Sequence, residues 1–361
     1  MTTTAFTTPK TRRRWLQFSL RTLVVLLLLL GAGFGWLAHE VERTRTQQKA
    51  VAAIEKLGGR VEYEAVSGVR IRTAVAWLGK LSGEDLSGDI AQVYLAGTQV
   101  SEAGLAHLQG LTKLQWLALH NTQVGDAGLA HLQGLTQLEV LSLTSTQVSD
   151  AGLTHLQGLT QLRELYLDGT QVSDAGVAHL QGLTQLQRLF LTSTQVSDAG
   201  LAHLRGLTRL RQLYLTDTQV SDMGLAHLRG LTQLQVLDLA DTQVSDAGLA
   251  HLRTLTQLRG LNLGNSQVSN AGLTHLQGLA QLQWLYLTNT QVSDVGLAHL
   301  RGLTQLETLS LHGTQVSDAG LAHLQGLTQL KSLDLDNTQV SDAGINGLKK
   351  ALPKVYIQKA G

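Results

Sequence analysis

The chain has 361 residues, a formal net charge of +1 and no cysteine. The lack of cysteine excludes disulfides, thiolate catalysis and cysteine-ligated metal sites, and the near-zero charge gives no indication of a nucleic-acid partner. Two prolines and 4% aromatic residues are unusually few, and the dominance of leucine, glycine, threonine and glutamine is typical of a repeat protein and not of an enzyme with a mixed core.

An uncharged apolar run of 17 residues, TLVVLLLLLGAGFGWLA, follows Arg21. At 1.5 Å per residue it reaches about 25 Å, and snorkelling by Arg21 lengthens the span towards the ~30 Å of a bilayer core. Trp15 and Trp36 lie where interfacial aromatic residues occur. The basic residues on the two sides of the run are Lys10, Arg12, Arg13, Arg14 and Arg21 before it, and Arg43, Arg45 and Lys49 after it.

This bias of basic residues predicts a single-pass protein with a cytoplasmic tail over residues 1–17, a transmembrane anchor over 18–38 and the remainder outside the cytoplasm. Three alternatives stay open. The run is also compatible with a signal peptide cleaved near Gly31–Gly33, which would make the protein secreted, and with a buried core helix. The stretch Thr11–Leu16 loosely resembles a twin-arginine export signal.

Residues 39–59 are charged and favour a helix, predicted to end at Leu57-Gly58-Gly59 and to form a stalk. The alternation over Arg60–Glu64 predicts a short strand, and Ala74–Leu81 predicts a short helix. Because a terminal repeat must cover one apolar face, residues 60–89 are interpreted as an N-terminal cap.

From residue 90 to residue 345 the chain keeps a 24-residue period without insertion, and the strand motif of the unit occurs eleven times. Each unit begins LxxLxLxxTxV, an alternation that predicts a strand, and continues as SDAGLAHLQGLTQ. In the fourth unit, Val177 and Leu180 fall on one face of a short helix. Ser173 or Asp174 is predicted to cap the start of that helix, and Gly182 is predicted to end it in a left-handed conformation.

A single unit cannot bury its own apolar face, so the units must stack. Stacking predicts eleven parallel strands in a sheet about 50 Å long, at ~4.8 Å per strand. Because strands lie closer together than helices, the sheet is predicted to occupy the concave face and the short helices the convex face. The predicted fold class is a right-handed α/β solenoid, or horseshoe, preceded by one transmembrane helix and closed by a C-terminal cap over residues 346–361.

The recurring LxxLxLxx motif resembles the leucine-rich repeats. The 24-residue length and the VSDAGLAHL half are similar to the ribonuclease-inhibitor-like, F-box-associated and GALA subclass, which has asparagine or cysteine where this chain has Thr98 through Thr338. A threonine hydroxyl can still hydrogen-bond backbone at that position. The segments RRRWLQFSLRTLVVLLLLL, QQKAVAAIEKLGGRVEYE and ALPKVYI resemble a group of bacterial membrane-anchored leucine-rich-repeat proteins. The resemblance implies an anchored binding scaffold and names no ligand.

The positions that vary between units are those predicted to face out from the strands. All seven aromatic residues between residues 90 and 341 occupy the third or fifth position of a unit: Tyr94, Trp116, Tyr166, Phe190, Tyr214, Trp284 and Tyr286. Exposed aromatic residues on one face indicate a binding surface, although aromatic residues are also good strand formers. The predicted partner-binding residues are Tyr166, Phe190 and Tyr214 with Glu164, Arg188 and Asp168 beside them, a second patch of Trp284 and Tyr286, and Trp116.

Ten of the thirteen histidines occupy one position of the predicted helix: His107, His131, His155, His179, His203, His227, His251, His275, His299 and His323. They are interpreted as a repeated surface residue. A pH-responsive face and metal binding are the alternatives. The aspartate column is interpreted as helix capping and not as acid–base chemistry, because its members are equivalent.

No nucleophile elbow, phosphate loop or dinucleotide fingerprint is present in the sequence. The sequence therefore predicts a non-catalytic membrane-anchored scaffold that binds a protein or peptide through the sheet. It predicts no cofactor, no metal, no nucleic acid and no small-molecule substrate. The alternative is an envelope or surface protein in which the array is a spacer without a specific ligand.

Overall fold

A computed structural model describes residues 20–63 and 89–359, which form two compact units divided between Thr46 and Gln47. The predicted basic tail, the twin-arginine-like stretch and the predicted cap helix over Ala74–Leu81 lie outside the described residues.

The first helix, α1, spans Leu20–Lys56. Among the described residues it is the one helix long and apolar enough to cross a membrane, with a mean hydropathy of 2.0 over its most apolar window. Within the second unit, Ala50 and Ile54 are 1% exposed and belong to the core of the repeat array. The helix ends as the sequence predicts, because Gly58 takes φ +83°. The last turns of the predicted stalk therefore pack on the array and do not stand free.

Thirteen strands form one sheet in chain order. They are β1 Arg60–Tyr63, β2 Ile90–Tyr94, β3 Trp116–Ala118, β4 Val140–Ser142, β5 Glu164–Tyr166, β6 Arg188–Phe190, β7 Gln212–Tyr214, β8 Val236–Asp238, β9 Gly260–Asn262, β10 Trp284–Tyr286, β11 Thr308–Ser310, β12 Ser332–Asp334 and β13 Tyr356–Gln358. Strand β1 runs antiparallel to β2, and every later pair is parallel. From β2 to β12 each residue faces the residue 24 positions further on, as in Leu165 opposite Leu189. The constant repeat length thus sets the register of the sheet.

A helix follows each strand from β2 to β12. The helices are α2 Glu102–Leu105, α3 Asp126–Leu129, α4 Asp150–Leu153, α5 Asp174–Ala178, α6 Asp198–Ala202, α7 Asp222–Leu225, α8 Asp246–Leu249, α9 Asn270–Leu273, α10 Asp294–Leu297, α11 Asp318–Leu321 and α12 Asp342–Ala351. Most continue into a 3-10 turn: Ala106–Leu108, Ala130–Leu132, Thr154–Leu156, Ala226–Leu228, Ala250–Thr254, Thr274–Leu276 and Ala298–Leu300. Leu348 of α12, with Leu352 and Val355, covers the C-terminal end of the core.

One continuous apolar core runs through the array between strands and helices. The seven apolar positions of the fourth unit are all 0% exposed: Leu162, Leu165, Leu167, Val172, Val177, Leu180 and Leu183. Burial on this scale removes each leucine from water, which stabilises the fold by about 1.5–3 kcal/mol per side chain relative to full exposure. The leucine motif is therefore the core of the solenoid.

The left-handed residue of each unit lies after the strand and not after the helix. Positive φ values occur at Gly97, Asn121, Ser145, Gly169, Ser193, Asp217, Asp241, Asn265, Asn289, Gly313 and Asn337, one per unit. These small or polar side chains tolerate that conformation best, which explains why the position holds only Gly, Asn, Asp or Ser. The prediction of a left-handed Gly182 is wrong: among the described residues with positive φ, Gly182 does not occur. The chain leaves the helix through right-handed turns instead.

The threonine column closes this turn. Thr170 Oγ1 donates to the Leu167 carbonyl oxygen at 2.6 Å, and Thr170 is 6% exposed. Ser266 makes the same bond to Leu263 at 2.6 Å in the one unit that lacks threonine. The threonine hydroxyl thus hydrogen-bonds a buried backbone carbonyl, as expected for a residue that takes the place of asparagine in similar repeats.

The aspartate column joins neighbouring units and does not cap its own helix. Asp150 Oδ1 accepts from Ser173 N at 2.7 Å, and Asp150 Oδ2 accepts from Ser173 Oγ at 2.6 Å. The same pair of bonds links Asp174 to Ser197, and Asp174 Oδ1 also accepts from Gly200 N at 2.8 Å. Asp174 therefore caps the helix of the following unit, and the other aspartates from Asp126 to Asp318 bond the serine that precedes that helix. Of the two expected caps, Ser173 is confirmed, because its Oγ accepts from Ala175 N at 3.4 Å, whereas Asp174 bonds to the following unit.

This ladder explains why glycine recurs at the third position of the helices. A Cβ atom on Gly176 would overlap Asp150 Oδ1 and lie 3.1 Å from Val172 Cγ1. The first step of the ladder departs from the rule on both sides, because Glu102 faces Gly125 where the later steps pair Asp with Ser, or Asn270 with Ser293 in one case. The Glu102 Oε1 atom lies 3.3 Å from where a Gly125 Cβ would be. A longer acid and a smaller partner thus occur together.

Candidate partner-binding surface

The outward side of the sheet, here called the strand face, consists of the first and third residues of each strand from β3 to β12 and the residue two positions beyond. In the fourth unit these are Glu164, Tyr166 and Asp168, while Leu165 and Leu167 point into the core. Because the register is constant, equivalent side chains of successive units stand side by side at about 4.8 Å. All nine predicted binding residues lie on this face.

Three aromatic rings form a continuous stack on the strand face, here called the ridge. The Tyr166 and Phe190 ring centroids lie 4.3 Å apart with an interplanar angle of 12°. Phe190 and Tyr214 lie 4.4 Å apart at 6°. Each ring is half-buried against its neighbours. Such contacts hold the rings in one orientation, so the ridge presents a rigid aromatic edge to solvent.

Charged side chains fix one end of the ridge. Tyr166 Oη donates to Glu164 Oε2 at 2.8 Å, and Arg188 Nη1 lies 3.1 Å from Glu164 Oε1. Burial, together with the hydrogen bond and negative charge of Glu164, raises the pKa of Tyr166 to about 12. The phenol therefore stays neutral and remains a donor at physiological pH. The structure brings Glu164 and Arg188 together with the ridge, as the sequence predicts.

The other end of the ridge meets a polar network that the sequence did not reveal. Burial and the negative charge of Asp238 raise the pKa of Tyr214. Asp238 Oδ1 accepts from Thr216 Oγ1 at 2.7 Å, and Asp238 Oδ2 accepts from Asn262 Nδ2 at 3.2 Å. Asp238 occupies the same strand-face column as Tyr214, and this shared column is the one sign of the network in the sequence.

Asp168 is on the strand face but its hydrogen bonds turn away from the ridge. Its Oδ1 accepts from Thr192 N at 3.0 Å, and its Oδ2 accepts from Thr144 Oγ1 at 3.3 Å. Asp168 therefore links three successive units. Its predicted role beside the aromatic residues stays a prediction.

Trp284 and Tyr286 form a separate patch with ring centroids 5.6 Å apart and an interplanar angle of 39°. The Trp284 ring lies over Gly260, where a Cβ atom would overlap it. The patch begins three strands from Tyr214, about 14 Å at the usual spacing. The two predicted patches are therefore distinct.

Trp116 lies two units before the ridge and contacts neither patch in the sheet register. Its side chain is half-buried, and in the described part of the chain its Nε1 is the one buried side-chain nitrogen or oxygen without a hydrogen-bond partner. An indole N–H in that state is under-satisfied, which costs stability unless a further acceptor reaches it.

The histidine column also links neighbouring units, on the helix side. Each ring from His131 to His323 has Nδ1 within hydrogen-bonding distance of a Gln or Arg on the preceding unit, as in Gln157 Nε2 to His179 Nδ1 at 2.9 Å. Arginine takes the place of glutamine before His227, His251, His275 and His323. Burial, followed by the charge of the arginine, lowers the pKa of His227, His251 and His275. These imidazoles are thus intermediate in exposure and bonded, not free surface groups.

No metal ligands were expected from the sequence, yet the register gathers one mixed group on the strand face. The potential ligand atoms of His312, Asp334 and Asp336 all lie within 4.8 Å of one another. Asp334 ends β12 and Asp336 lies two residues further on, and His312 precedes Asp336 by one repeat length. The three residues belong to two strand-face columns of two successive units, so neither the aromatic residues nor the helix columns of the sequence indicate the combination.

The strand, turn and helix units with their leucine core define a leucine-rich-repeat array. Models of the leucine-rich repeat match residues 112–172, 160–220 and 230–252, and a two-copy leucine-rich-repeat model matches residues 304–350. No curated protein shows significant sequence similarity to the chain.

Solved structures with the same architecture come from several sources. An internalin, InlF, of Listeria monocytogenes is 26% identical, with a TM-score of 0.61, over 81% of this chain and 90% of that one. A leucine-rich-repeat protein of Leptospira interrogans is 20% identical, with a TM-score of 0.56, over 70% and 68%. A TDR receptor at 15% identity and a TM-score of 0.53, over 78% and 57%, shares the fold alone. The repeat-model matches support a leucine-rich-repeat protein, and two of these neighbours are bacterial; the structures under 25% identical show the fold alone. The finer subclass and the anchored group stay predictions.

Proposed function

We propose that this protein is a non-catalytic, membrane-anchored scaffold that binds a protein or peptide partner through the strand face, with the ridge of Tyr166, Phe190 and Tyr214 at the centre of the contact. The observation that supports this most is the stacking of three aromatic rings on the outward side of a sheet whose core is already closed. Those rings contribute nothing to filling the core.

A pre-stacked ridge is well suited to binding. Aromatic residues supply large contact areas, and rings already held by their neighbours lose little conformational entropy when a partner docks. The exposed edges of Tyr166, Phe190 and Tyr214 are therefore the expected anchors. Glu164 and Arg188, which flank them, are expected to fix the register of the partner.

The charge of the strand face favours a basic partner. Its acids are Glu164, Asp168, Asp238, Asp334 and Asp336, and its one Arg or Lys in these three columns is Arg188. Complementary charge accelerates association and aligns partners, so we expect lysine or arginine on the partner surface that meets the ridge. An arginine of the partner, stacked on the outer edge of the ridge, would supply both the positive charge and the contact with aromatic rings.

Anchoring by α1 completes the proposal. Its apolar segment has the length and composition of a membrane span, and the basic residues before it favour an extracytoplasmic array. An anchored strand face would hold a partner at the membrane surface.

The test is binding by ridge variants. A partner is captured with the wild-type protein, purified, and its affinity measured for Tyr166→Ala, Phe190→Ala and Tyr214→Ala. Each change is expected to weaken binding by ~2 kcal/mol or more, about thirtyfold, if the residue is a hot spot. The same changes break ring contacts and should cost the fold about 0.5–1.5 kcal/mol per stacked pair.

Two controls separate binding from folding. Met223→Ala alters a residue 72% exposed on the helix side and should leave affinity unchanged. Leu165→Ala opens a core cavity and should destabilise the protein by ~2–5 kcal/mol. A folded triple variant that retains full affinity would move the site off the ridge, with Trp284 and Tyr286 next in order. If those are silent as well, the spacer interpretation becomes the better one.

A further inference from the structure

The mixed group on the last full units differs chemically from the rest of the strand face. His312 and Asp336 are equivalent residues of successive units, and Asp334 ends β12 beside them. Their ligand atoms lie within 4.8 Å of one another. Ligands of a transition metal lie about 2.0–2.2 Å from the ion, so such atoms need only small side-chain rotations to share one.

The donor set matches a particular class of ion. One imidazole nitrogen with two carboxylate oxygens suits zinc and neighbouring first-row divalent ions, whereas magnesium and calcium prefer oxygen ligands alone. The two carboxylates also repel one another at this distance, and a divalent cation would remove that repulsion. Asp336 is 9% exposed, so part of the group is shielded from water.

Polar neighbours orient each of the three side chains. Asn337 Nδ2 lies 3.3 Å from His312 Nε2. Ser310 Oγ donates to Asp334 Oδ2 at 3.0 Å, and Gln358 Nε2 donates to Asp336 Oδ2 at 2.5 Å. Metal ligands in proteins are commonly held by such outer partners, which reduce the entropy lost on binding.

The repeats supply an internal comparison. His120 occupies the same column as His312, but its register neighbours in the next unit are Ser142 and Thr144 in place of Asp334 and Asp336. The other strand-face carboxylates, Glu164, Asp168 and Asp238, have no histidine one unit before them. Among the described residues, this is the one group of three or more potential ligands within that distance.

From these observations we infer that His312, Asp334 and Asp336 form a binding site for one divalent transition-metal ion, with the remaining coordination positions open to water or to a carboxylate or imidazole of a docked partner. This inference is independent of the ridge. The site begins four strands beyond β7, the strand that carries Tyr214, and it includes none of the ridge residues.

The experiment is calorimetric titration of the full-length protein, in detergent and without a histidine tag, with Zn²⁺ and separately with Mn²⁺ and Mg²⁺. One site per chain should fill with Zn²⁺. Asp334→Asn and His312→Ala should each weaken that site at least about tenfold. His120→Ala, the matched control, should leave it intact. Binding of Mg²⁺ should be far weaker than binding of Zn²⁺.

The result that would overturn the inference is an unchanged Zn²⁺ isotherm in Asp334→Asn or His312→Ala, or a loss of equal size in His120→Ala. Folding of each variant is checked by circular dichroism. Should a variant fail to fold, the double change Ser142→Asp and Thr144→Asp rebuilds the group around His120. That protein should bind a second tight Zn²⁺, and failure to do so would equally contradict the assignment.

Discussion

Asp174 illustrates how one side chain serves the neighbouring unit. Its carboxylate accepts from Ser197 N, Ser197 Oγ and Gly200 N, all on the following helix. The backbone N–H groups of Ser197 and Gly200 at the start of that helix have no intrahelical partners, so the carboxylate both satisfies them and ties two units together. Asp342, the last member of the column, accepts no such bond within the described residues.

Asp174→Ala should therefore destabilise the array by about 1–3 kcal/mol, since it leaves several helix N-terminal donors unpaired. Asp342→Ala is the matched control: it occupies the same helix position without the inter-unit bonds, and should cost a few tenths of a kcal/mol, about the favourable effect of an acid near a helix start. Chemical denaturation of the two variants measures the difference. Equal losses would mean that the ladder contributes no more than helix electrostatics.

Two glycines separated by six residues should respond oppositely to alanine. A methyl group on Gly176 meets the Asp150 carboxylate, which is already held by Ser173. Gly182 has no atom within 4 Å of a new Cβ and no positive φ. Gly176→Ala should cost at least about 1–3 kcal/mol by overpacking.

Gly182→Ala should instead be neutral or stabilise by about 0.4–1 kcal/mol through the unfolded chain. Thermal melts decide both. A strong loss at position 182 would restore the left-handed helix end that the sequence indicated.

At the scale of elements, the histidine column is a second ladder whose strength depends on pH. For His227, His251 and His275 the folded pKa lies below the ordinary 6.5. The unfolded chain therefore binds protons first as pH falls. Stability is full above about 6.5 and declines as pH drops through the lowered folded values. The melting temperature at pH 5.0 should be lower than at pH 7.5.

The arginines give a matched test of the cause. Arg229→Gln installs the residue found before His131, His155, His179 and His203, and should raise the pKa of His251 by removing the neighbouring positive charge. Part of the depression should persist, because burial is its larger cause. NMR titration of the histidine signals measures both the rise of the His251 pKa and the part of its lowering that persists. An unchanged His251 pKa in the variant would contradict the assignment to Arg229.

The strands and helices of the array were predictable because the spacing of the leucines sets both the repeat period and the register of the strands. Leu165 opposite Leu189 follows directly from a 24-residue repeat. The ladders were less predictable, because they depend on which unit a side chain reaches. Asp174 reads as a cap of its own helix unless the helix is placed against its neighbour, and the left-handed turn at Ser193 is visible only when all eleven copies of that position are compared.

The candidate site was likewise predictable in its residues but not in its side-chain contacts. The column comparison identified Tyr166, Phe190 and Tyr214, but not that their rings stack in nearly parallel planes. The grouping of His312 with Asp334 requires neighbours across two strands to be considered together, and single columns do not display it. Side-chain direction and cross-strand distance are the quantities that sequence alone lacked.

For the whole molecule, the absence of cysteine allows a direct test of topology. Met223→Cys places a single thiol at a position 72% exposed on the helix side of the array. If α1 anchors an extracytoplasmic array, a membrane-impermeant maleimide should label that thiol in intact spheroplasts, and the labelled chain should sediment with membranes.

Thr8→Cys in the predicted cytoplasmic tail is the companion variant, and it should be labelled only after the membrane is opened. Labelling of Thr8→Cys in intact spheroplasts, protection of Met223→Cys, or recovery of a labelled soluble array would contradict the anchored topology. The last of these results would support cleavage near Gly33 or Ala38.

The central claim is that the strand face, at the ridge, meets the partner in the cell. A photo-crosslinking phenylalanine analogue placed at position 190 puts the reactive group in the middle of the ridge, and the same analogue at position 223 samples the helix side of the same array. Irradiation of cells should join a discrete partner to the chain from position 190 and not from position 223. A partner captured from position 223 alone, or from both positions equally, would contradict the assignment of the ridge as the binding surface.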